Sequence, residues 1–544
     1  MKSRVAIAAL FLLLLMLCSG LKAQQTPADQ EVKEYTSNLP FSMPAIQLPT
    51  IPDAIVNIAD FGAVADGRTM NTKAINEAIK TCAKKGGGVV VIPPGMWLTG
   101  PIELASNIEL RVETGAMVFF SPKFEDYPVP AKGNKVTSPI HGRGLTNVAI
   151  TGRGVFNGNG HLWRPVKKEK LTERQWKELV ASGGVVTPDG KMWWPSKEAM
   201  NGEEYLKTLR KNKKNPTPEE IAGAREFLRP TMLDLVGCNK ILIDGPTFTN
   251  TPGWALHPTQ CENLVIRNTT VTNNWWGQNT DAADISACRN VLLYRNVFDV
   301  GDDGICMKSS AGSDPKREFA LENVVIADCI VYHAHGGFVI GSNTDGGMRN
   351  ISVKNCTFIG TDIGLRFKSA RDRGGRVENI YVDGIRMKDI ATAAILFDMF
   401  YEGNNDNNPN MQRIPYFRNF DIRNVVCDGA REALFVRGLA DAPIQSVTLT
   451  NVSITSKQAL KMENADGFTL TNVWLNFKSG PVLTVNDGKN IRLHDVTTAA
   501  PAELFVRAAG AGTMNVQVRK SDAAAAKRDV ELGPEVQPGA VIVR

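Results

Sequence analysis

Residues 263–271 read Asn-Leu-Val-Ile-Arg-Asn-Thr-Thr-Val, and this stretch decides the fold because its pattern recurs along most of the chain. A polar turn residue, usually Asn, is followed by apolar residues in alternation, and a second β-branched run follows in the same unit. From residue 239 to residue 490 the units begin 21 to 40 residues apart. Repeats of that length are typical of solenoids, in which each coil buries its apolar face against its neighbours.

The recurring units predict an all-β fold, a right-handed parallel β-helix. Most units carry two or three short β-branched runs, helical periodicity is absent, and three short strands per turn of about 25 residues build such a coil. A leucine-rich repeat is disfavoured because its leucine spacing does not occur, and a β-propeller would need longer blades. The residues that open the units are Asn107, Asn147, Asn239, Asn263, Asn290, Asn323, Asn350, Asn379, Asn419, Ser446, Gly467 and Asn490.

The composition excludes several classes of protein. The chain has 544 residues, of which 43% are hydrophobic and 22% are charged, which is typical of a globular fold and not of a disordered or fibrous one. Its net charge of +6 is too small and too dispersed to indicate nucleic-acid binding. After residue 23 no apolar run reaches the ~18 residues that a spanning helix needs. We therefore expect no nucleic-acid partner, no membrane span and a monomer.

The first 23 residues have the layout of a secretory signal peptide. Lys2 and Arg4 precede an almost unbroken apolar run over residues 5–17, and a cleavage point follows Ala23. We expect export to the periplasm or the medium, with acylation of Cys18, as in a lipoprotein, as the alternative. Residues 24–50 are polar and contain proline, which predicts an extended lead-in. Residues 51–544 are predicted to form a single β-helix domain.

Two segments depart from the repeat. A helix beginning at Asn71 and Thr72 is predicted to cover the open N-terminal coil, with one apolar face made of Ala74, Ile75, Ala78, Ile79 and Cys82. Residues 161–228, called the insertion below, are rich in Lys, Glu and Trp and are predicted to contain helices over 172–180 and 218–228. The insertion is either a solvated decoration or a wall beside a carbohydrate cleft, and its tryptophans favour the wall: Trp163, Trp176, Trp193 and Trp194.

The cysteines that follow the leader fall mostly inside strand-like segments, with no Cys-x-x-Cys pair. This distribution favours free, buried, stacked thiols over disulfides or a zinc site. They are Cys82, Cys238, Cys261, Cys288, Cys306, Cys329, Cys356 and Cys427.

Three aspartates carry the strongest chemical signal. Asp281 is followed 21 residues later by Asp302 and then Asp303, a spacing of about one coil. Neighbouring strands lie about 5 Å apart, so the three carboxylates should meet on adjacent coils. Gly301 and Gly304 would let the strand bend so that both members of the pair face one cleft. Such crowding should leave one carboxylate protonated near neutral pH.

Basic residues follow on the next coils. His335 lies about one coil beyond the aspartate pair, and Arg366 and Lys368 share the parity that places both on one face of a strand. Taken alone, an Arg-x-Lys sequence is most simply two solvated charges. In line with three acids, these cations favour an anionic substrate.

The sequence resembles the polygalacturonase family, glycoside hydrolase family 28. The family's four signature blocks occur in order as residues 279–281 (Asn-Thr-Asp), 301–303 (Gly-Asp-Asp), 334–336 (Ala-His-Gly) and 366–368 (Arg-Phe-Lys). Residues 60–67 and 86–93 also resemble the N-terminal segment of pectin-degrading β-helices, so the resemblance implies a pectin-lyase-like solenoid. The departures Ala282, Ala334 and Phe367 remove no titrating group.

The resemblance also implies a role for each site residue. Asp302 would be the general acid, with a pKa raised by its charged neighbours, and Asp281 and Asp303 would activate the attacking water, with inversion at the anomeric carbon. His335 would tune the protonation of Asp302 or contact the substrate. The substrate-binding residues would be Asn279, which orients a carboxylate or sugar, Arg366 and Lys368, which clamp a galacturonate carboxylate, and Tyr401, on the other side of the scissile bond. No metal and no cofactor enter this mechanism.

The expected substrate is an acidic polysaccharide, the α-1,4-linked galacturonan of pectin. The insertion would close one end of the cleft, which favours exo action. The alternatives are a hydrolase that acts on rhamnogalacturonan, a calcium-dependent pectate lyase, and a non-catalytic β-helix that binds carbohydrate. The retained Arg366 and Lys368 favour homogalacturonan.

Overall fold

The computed structural model describes residues 26–131, 133–310, 318–401 and 413–544. The predicted signal peptide, with Cys18, lies outside the described residues. The chain coils into a right-handed parallel β-helix, as the repeat predicts, and successive coils pair in parallel register.

One sheet, called the site sheet below, carries the candidate chemistry. It contains fourteen strands among the described residues, stacked in chain order with one strand from each coil. These strands are Ile102–Glu103, Ile140–Arg143, Leu233–Val236, Leu256–Thr259, Ala283–Ser286, Ile305–Lys308, Phe338–Ile340, Ile363–Lys368, Ala393–Asp398, Glu432–Arg437, Gln458–Glu463, Leu483–Asn486, Val506–Ala509 and Val530–Leu532.

The remaining faces of the coil form a second, continuous parallel sheet. Its strands are Ile55–Asn57, Asp66–Met70, Gly88–Ile92, Gly95–Thr99, Ile108–Val112, Ala116–Phe120, Thr146–Gly152, Val155–Asn157, Asn239–Asp244, Thr247–Thr249, Glu262–Arg267, Thr270–Thr272, Arg289–Tyr294, Val297–Asp299, Leu321–Ala327, Ile330–Tyr332, Met348–Lys354, Thr357–Ile359, Arg376–Lys388, Tyr416–Asp428, Ile444–Ser456, Ala465–Phe477, Arg492–Thr498, Val516–Arg519 and Val541–Val543.

The asparagines that open the repeat units occupy turns with a left-handed backbone. Asn290, Asn323 and Asn350 have φ values of 52°, 59° and 58°. Asn tolerates this conformation better than other residues with a side chain. Their amides also stack: Asn350 Nδ2 donates to Asn323 Oδ1 at 3.1 Å, and Asn323 Nδ2 donates to Asn290 Oδ1 at 3.1 Å. The repeated Asn therefore sets the corner of each coil and links it to the next.

The interior of the coil is a continuous apolar core that extends from the N-terminal to the C-terminal coils. All eight cysteines among the described residues are free and buried, as predicted. Phe367, which departs from the signature block, is fully buried, with its ring centroid 4.6 Å from that of Phe397. This substitution therefore changes the core and leaves the outward side chains in place.

The predicted capping helix is confirmed as Thr72–Lys84. Its buried face consists of Ile75, Ala78, Ile79 and Cys82. The Asn71 side chain does not cap this helix; its amide bonds the backbone of residues 64, 69 and 98 instead. No helix in the described part of the chain is long and apolar enough to cross a membrane.

The lead-in differs from the extended segment that its composition predicts. It contains the helix Pro27–Thr36, whose N-terminus is closed by a reciprocal pair of hydrogen bonds between Thr26 and Asp29. Val32 packs on outward-facing apolar residues of the second sheet, among them Val265 and Leu292. Strands whose residues are apolar on both faces of the sheet need a covering segment. The signal for the lead-in helix therefore lies in those strands and not in the lead-in itself.

The insertion is more structured than predicted. Its helices are Glu173–Ala181, Lys197–Asn212 and Pro218–Ala222; the second was not predicted, and the third is shorter than predicted. A small antiparallel sheet joins Val166–Lys167, Val185–Val186 and Met192–Trp194. Short 3₁₀ turns occur in and around the coil at Ile58–Phe61, Phe124–Asp126, Gly160–Leu162, Lys168–Lys170 and Asp522–Ala525.

The tryptophans of the insertion do not line a cleft, contrary to the sequence interpretation. Trp163 is buried against Tyr127, and Trp176 and Trp193 are buried together in a second cluster. Trp194 packs on Phe227, with ring centroids 6.1 Å apart. A segment this long needs its own apolar core, and these rings provide it.

The asparagine turns can be tested at Asn323. The change Asn323→Ala should lower the free energy of unfolding by about 1–3 kcal/mol, because Ala is strained at positive φ and both amide contacts are lost. The matched variant Asn323→Gly loses the same contacts without the strain and should be destabilised less, by about 1 kcal/mol. Urea unfolding followed by circular dichroism measures both, and a Gly variant at least as unstable as the Ala variant would contradict the backbone explanation.

Candidate active site

The three predicted aspartates meet at one edge of the site sheet. Asp281 lies just before the strand Ala283–Ser286, and Asp302 and Asp303 lie just before the strand Ile305–Lys308. The two strands pair in register from Ala283 with Ile305, and one carboxylate oxygen of each aspartate lies within 4.8 Å of the others. Gly301 is required for close packing, because a Cβ there would lie 2.4 Å from the carbonyl oxygen of Gly277.

Asp302 is the aspartate that faces the cleft. Its side chain is 18% exposed, whereas those of Asp281 and Asp303 are 4% and 2% exposed. Its carboxylate accepts hydrogen bonds from the backbone N–H groups of Asn279 at 3.1 Å and Asp303 at 2.9 Å. His335 Nδ1 lies 3.1 Å from its Oδ1. Asp302 is thus held in one orientation and can still touch a bound molecule.

Asp303 is neutralised by two cations. Arg366 Nη1 donates to Oδ1 at 3.1 Å, and Lys368 Nζ donates to Oδ2 at 2.8 Å. Burial alone would raise the pKa of Asp303, but Lys368 and Arg366 hold it well below its ordinary value. Arg366 and Lys368 share a face, as their parity predicts, and both bind this carboxylate.

Lys308 holds the other side of the cluster together, and sequence reasoning missed it. Its Nζ lies 2.9 Å from Asp284 Oδ1 and 3.7 Å from Asp281 Oδ2. Burial raises the pKa of Asp284 to about 6 despite this cation. Lys308 has the opposite parity to the core residues Ile305 and Met307 of the same strand, and that alternation was the available signal for an outward lysine beside the aspartates.

Of the three carboxyls, Asp281 is the one whose pKa is raised, and the raised pKa expected for Asp302 is wrong. Burial, followed by the charges of Asp284 and Asp302, raises the pKa of Asp281 well above its ordinary value. Burial also acts to raise the pKa of Asp302, but the hydrogen bond from His335 and the charge of Lys368 lower it overall. The sequence locates the crowding, but not which member of the cluster lies beside the cations.

Tyr401 lies beside the two cations, and the side of the scissile bond that the resemblance assigns to it stays a prediction. Lys368 Nζ is 4.8 Å and the Arg366 guanidinium is 6.0 Å from its ring centroid. An aromatic face beside cations is a common arrangement for recognising a charged sugar ring. His333, one turn away, pairs with Asp299 at 3.0 Å outside the cleft.

A cavity of about 240 Å³ opens on the N-terminal side of the cluster. It is lined by Lys135, Arg229, Thr231, Gly253, Trp254 and Asn279. Lys135 Nζ lies 5.9 Å from the ring of Trp254, and Arg229 Nη2 donates to Asn279 Oδ1 at 2.8 Å. The cavity combines two cations, an aromatic ring and an amide, a set that suits a sugar carrying a carboxylate.

The insertion reaches the site with charged side chains. Arg229 follows its last turn, and Lys170 Nζ lies 3.4 Å from Nε2 of His335. The same nitrogen lies 3.7 Å from Asp362 Oδ2. Lys170 is thus the contact of the insertion with the site, and the wall beside the cleft stays a prediction.

The charges of the cluster favour acid–base chemistry over metal binding. Among the described residues, Asp281, Asp302 and Asp303 are the acids close enough to share a cation. Lys308, Arg366 and Lys368 already lie against the buried acids and balance their charge. A divalent ion would have to displace these internal cations.

Two family models match the chain, that of the glycosyl hydrolases family 28 over residues 166–468 and that of rhamnogalacturonase A/epimerase, pectate lyase-like, over residues 55–114. An exo-poly-alpha-D-galacturonosidase from Dickeya chrysanthemi is 26% identical over 472 residues, which are 80% of this chain and 75% of that protein. A probable polygalacturonase from Vitis vinifera is 25% identical over 418 residues, 73% of this chain and 74% of the relative.

A solved structure of an exopolygalacturonase is also similar to this chain. The exopolygalacturonase of Thermotoga maritima superposes with a TM-score of 0.63 at 26% identity, covering 86% of this chain and 96% of that one. The family 28 match spans more than half of this chain and includes all three aspartates, the histidine and both cations of the cluster. This protein is therefore a glycoside hydrolase and a member of glycosyl hydrolases family 28.

Proposed function

We propose that this enzyme hydrolyses α-1,4-galacturonan and releases galacturonic acid from a chain end with inversion. The observation that carries the substrate class is the placement of cations on both sides of Asp302. Arg366 and Lys368 lie on the C-terminal side, and Lys135 and Arg229 line the cavity on the N-terminal side. Two neighbouring sugars that both carry carboxylates would each meet a cation, which a neutral glycan would not need.

In this proposal Asp302 donates a proton to the glycosidic oxygen. It is the one of the three acids that is accessible from the cleft, and geometry must come before pKa in such an assignment. Its lowered pKa is compatible with the role, because an anionic sugar raises the pKa of a neighbouring carboxyl and also excludes water. Asp281 and Asp303 then hold the attacking water, and the ionised Asp303 accepts the proton that the water loses as its oxygen bonds to the anomeric carbon.

Inversion does not follow from the distances between the carboxylates. Their nearest oxygens lie within 4.8 Å, and in most glycosidases a short separation accompanies retention, whereas inverting pairs are about 6.5–9.5 Å apart. The case for inversion is that Asp281 and Asp303 flank Asp302, so one water can be held by two buried oxygens. A covalent intermediate on Asp303 is disfavoured because Arg366 and Lys368 stabilise its ionised carboxylate, which makes it a weak nucleophile.

Exo action is supported by the shape of the N-terminal side. The cavity of about 240 Å³ adjoins the insertion at Arg229, and Lys135 stands at its rim as an exposed side chain. A polymer end that fills this cavity would leave its next bond beside Asp302. This part of the proposal also draws on the exo-acting enzymes from Dickeya and Thermotoga, which the chain resembles.

The proposal is tested with purified protein and polygalacturonic acid in the presence of EDTA. We expect reducing ends without absorbance from unsaturated uronides, monomer as the early product, and a first-formed β-anomer in proton NMR. A ladder of oligomers would refute exo action, a first-formed α-anomer would refute inversion, and unsaturated products would refute hydrolysis. If this polymer is not cut, rhamnogalacturonan fragments become the next substrates, because the match over residues 55–114 carries that name.

The roles of the aspartates can be separated by the leaving group. Asp302→Asn should lose about 10²–10⁴-fold in kcat on galacturonan, because the leaving oxygen is no longer protonated. Its kcat should fall far less on a nitrophenyl galacturonide, because the nitrophenolate leaving group needs no proton. Asp281→Asn should be impaired on both substrates.

The matched control for this series is Asp299→Asn. Asp299 contacts His333 at 3.0 Å in a pair like that of Asp302 and His335, but it lies outside the cleft. Its kinetics should equal those of the unchanged enzyme. The opposite result would be an Asp302→Asn variant that loses activity equally on both substrates and an Asp281→Asn variant that keeps activity on the nitrophenyl substrate. That result would exchange the roles of the two aspartates.

The N-terminal cavity can be tested at Lys135. Lys135→Met should raise KM for short oligogalacturonates by about two- to fivefold, the value of an exposed ion pair, and leave kcat nearly unchanged. The control variant Lys478→Met removes an exposed lysine from a coil far from the cleft. An unchanged KM in Lys135→Met would remove this lysine from the substrate site.

A further inference from the structure

Lys170 belongs to the insertion and to none of the four signature blocks of the family. It ends the 3₁₀ turn Lys168–Lys170 and lies half-buried beside the cleft. Its ammonium lies 3.4 Å from Nε2 of His335, whose other nitrogen contacts Asp302 at 3.1 Å. The three side chains form a line from the insertion to the cleft-facing carboxylate.

We propose that Lys170 is a positioning residue that fixes the tautomer of His335, so that the histidine stays neutral and donates its Nδ1–H to Asp302. This inference rests on the function proposed for Asp302 and assigns to the insertion a part in the chemistry of the same site.

The hydrogen-bonding capacities of the Lys170 ammonium and the His335 imidazole determine which ring nitrogen carries the hydrogen. An ammonium has three donors and no acceptor, so its contact with His335 requires a lone pair on Nε2. The hydrogen of the neutral ring then lies on Nδ1, where it points at Asp302 Oδ1.

A competing group faces the same nitrogen. Asp362 Oδ2 lies 3.7 Å from Nε2, and its side chain is 46% exposed. Without Lys170 the imidazole would stand between the two carboxylates of Asp302 and Asp362, an environment that favours a doubly protonated ring. Lys170 and Asp362 therefore select opposite states of His335, and the ammonium is the nearer of the two.

The state of His335 matters for the reaction. An imidazolium would bind the carboxylate of Asp302 more strongly than a neutral ring does, and a carboxylate held in that way is harder to protonate. A neutral Nδ1–H donor still fixes the orientation of Asp302. In this arrangement Lys170 keeps Asp302 available as an acid without touching it.

The direct test is nitrogen-15 NMR of the six histidines in the protein without substrate at pH 6.5, with His335 assigned by its loss in His335→Asn. We expect one protonated Nδ1 and one unprotonated Nε2 on His335. In Lys170→Met both nitrogens should become protonated, and the double variant Lys170→Met with Asp362→Asn should restore the neutral pattern. Lys170→Arg should keep it, because a guanidinium is also a donor without acceptors.

Kinetics give the second readout. In Lys170→Met, kcat on polygalacturonic acid should fall about tenfold with little change in KM, and the loss should be much smaller on the nitrophenyl substrate. Lys168→Met is the matched control, since Lys168 lies on the same turn and contacts Glu173 at 3.3 Å instead of the site. It should change neither the spectrum nor the rates.

The outcomes separate this inference from the function on which it rests. An unchanged His335 spectrum in Lys170→Met, or a neutral ring that carries its hydrogen on Nε2 in the unchanged enzyme, would overturn it. The spectra need no substrate, so they decide the tautomer even if the enzyme cuts another polymer. Failure on every galacturonan would overturn the proposed function and leave the spectroscopic result standing.

Discussion

The register of the parallel site sheet is the constraint on which the rest of the structure depends. Asp284 pairs with Cys306, Cys306 with Val339, and Val339 with Arg366, so residues from four coils form one outward row. The strands of such a sheet lie about 4.8 Å apart, and a slip of one residue would turn every one of these side chains into the core. The asparagine turns oppose such slips because they fix the corner of each coil and bond to the next one.

This register creates an electrostatic problem that the sequence solves locally. Asp281, Asp284 and Asp303 are almost wholly buried, and three uncompensated carboxylates would be prohibitively costly there. Lys308 lies between the first two, and Arg366 with Lys368 holds the third. The site is therefore divided into a cationic side at Asp303, whose pKa is lowered, and a side at Asp281, whose pKa is raised. That division gives neighbouring carboxylates different tasks, which a symmetric cluster could not do.

Much of the architecture was predictable from the sequence because each coil of a solenoid repeats the same pattern of polar turn residues and apolar strands. The repeat gave the coil, the parity of residues 366 and 368 gave their common face, and the apolar spacing after Asn71 gave the capping helix. The helix of the lead-in could not be predicted, since its stability depends on outward-facing residues such as Val265 that belong to distant coils. The tryptophans of the insertion were misinterpreted for a related reason: composition does not show which side of a segment becomes its interior.

The electrostatic details of the site were beyond the sequence because they depend on distances of a few ångströms between coils. No spacing rule distinguishes the buried Asp281 from the cleft-facing Asp302, yet this difference decides which one can reach a glycosidic oxygen. Lys308 is hidden in an ordinary strand, and Lys170 is one of many lysines in the insertion. Its position beside His335 shows that the insertion is more than a wall. The coil supplies the acids, and the segment that interrupts the coil places a lysine against the histidine that contacts one of them.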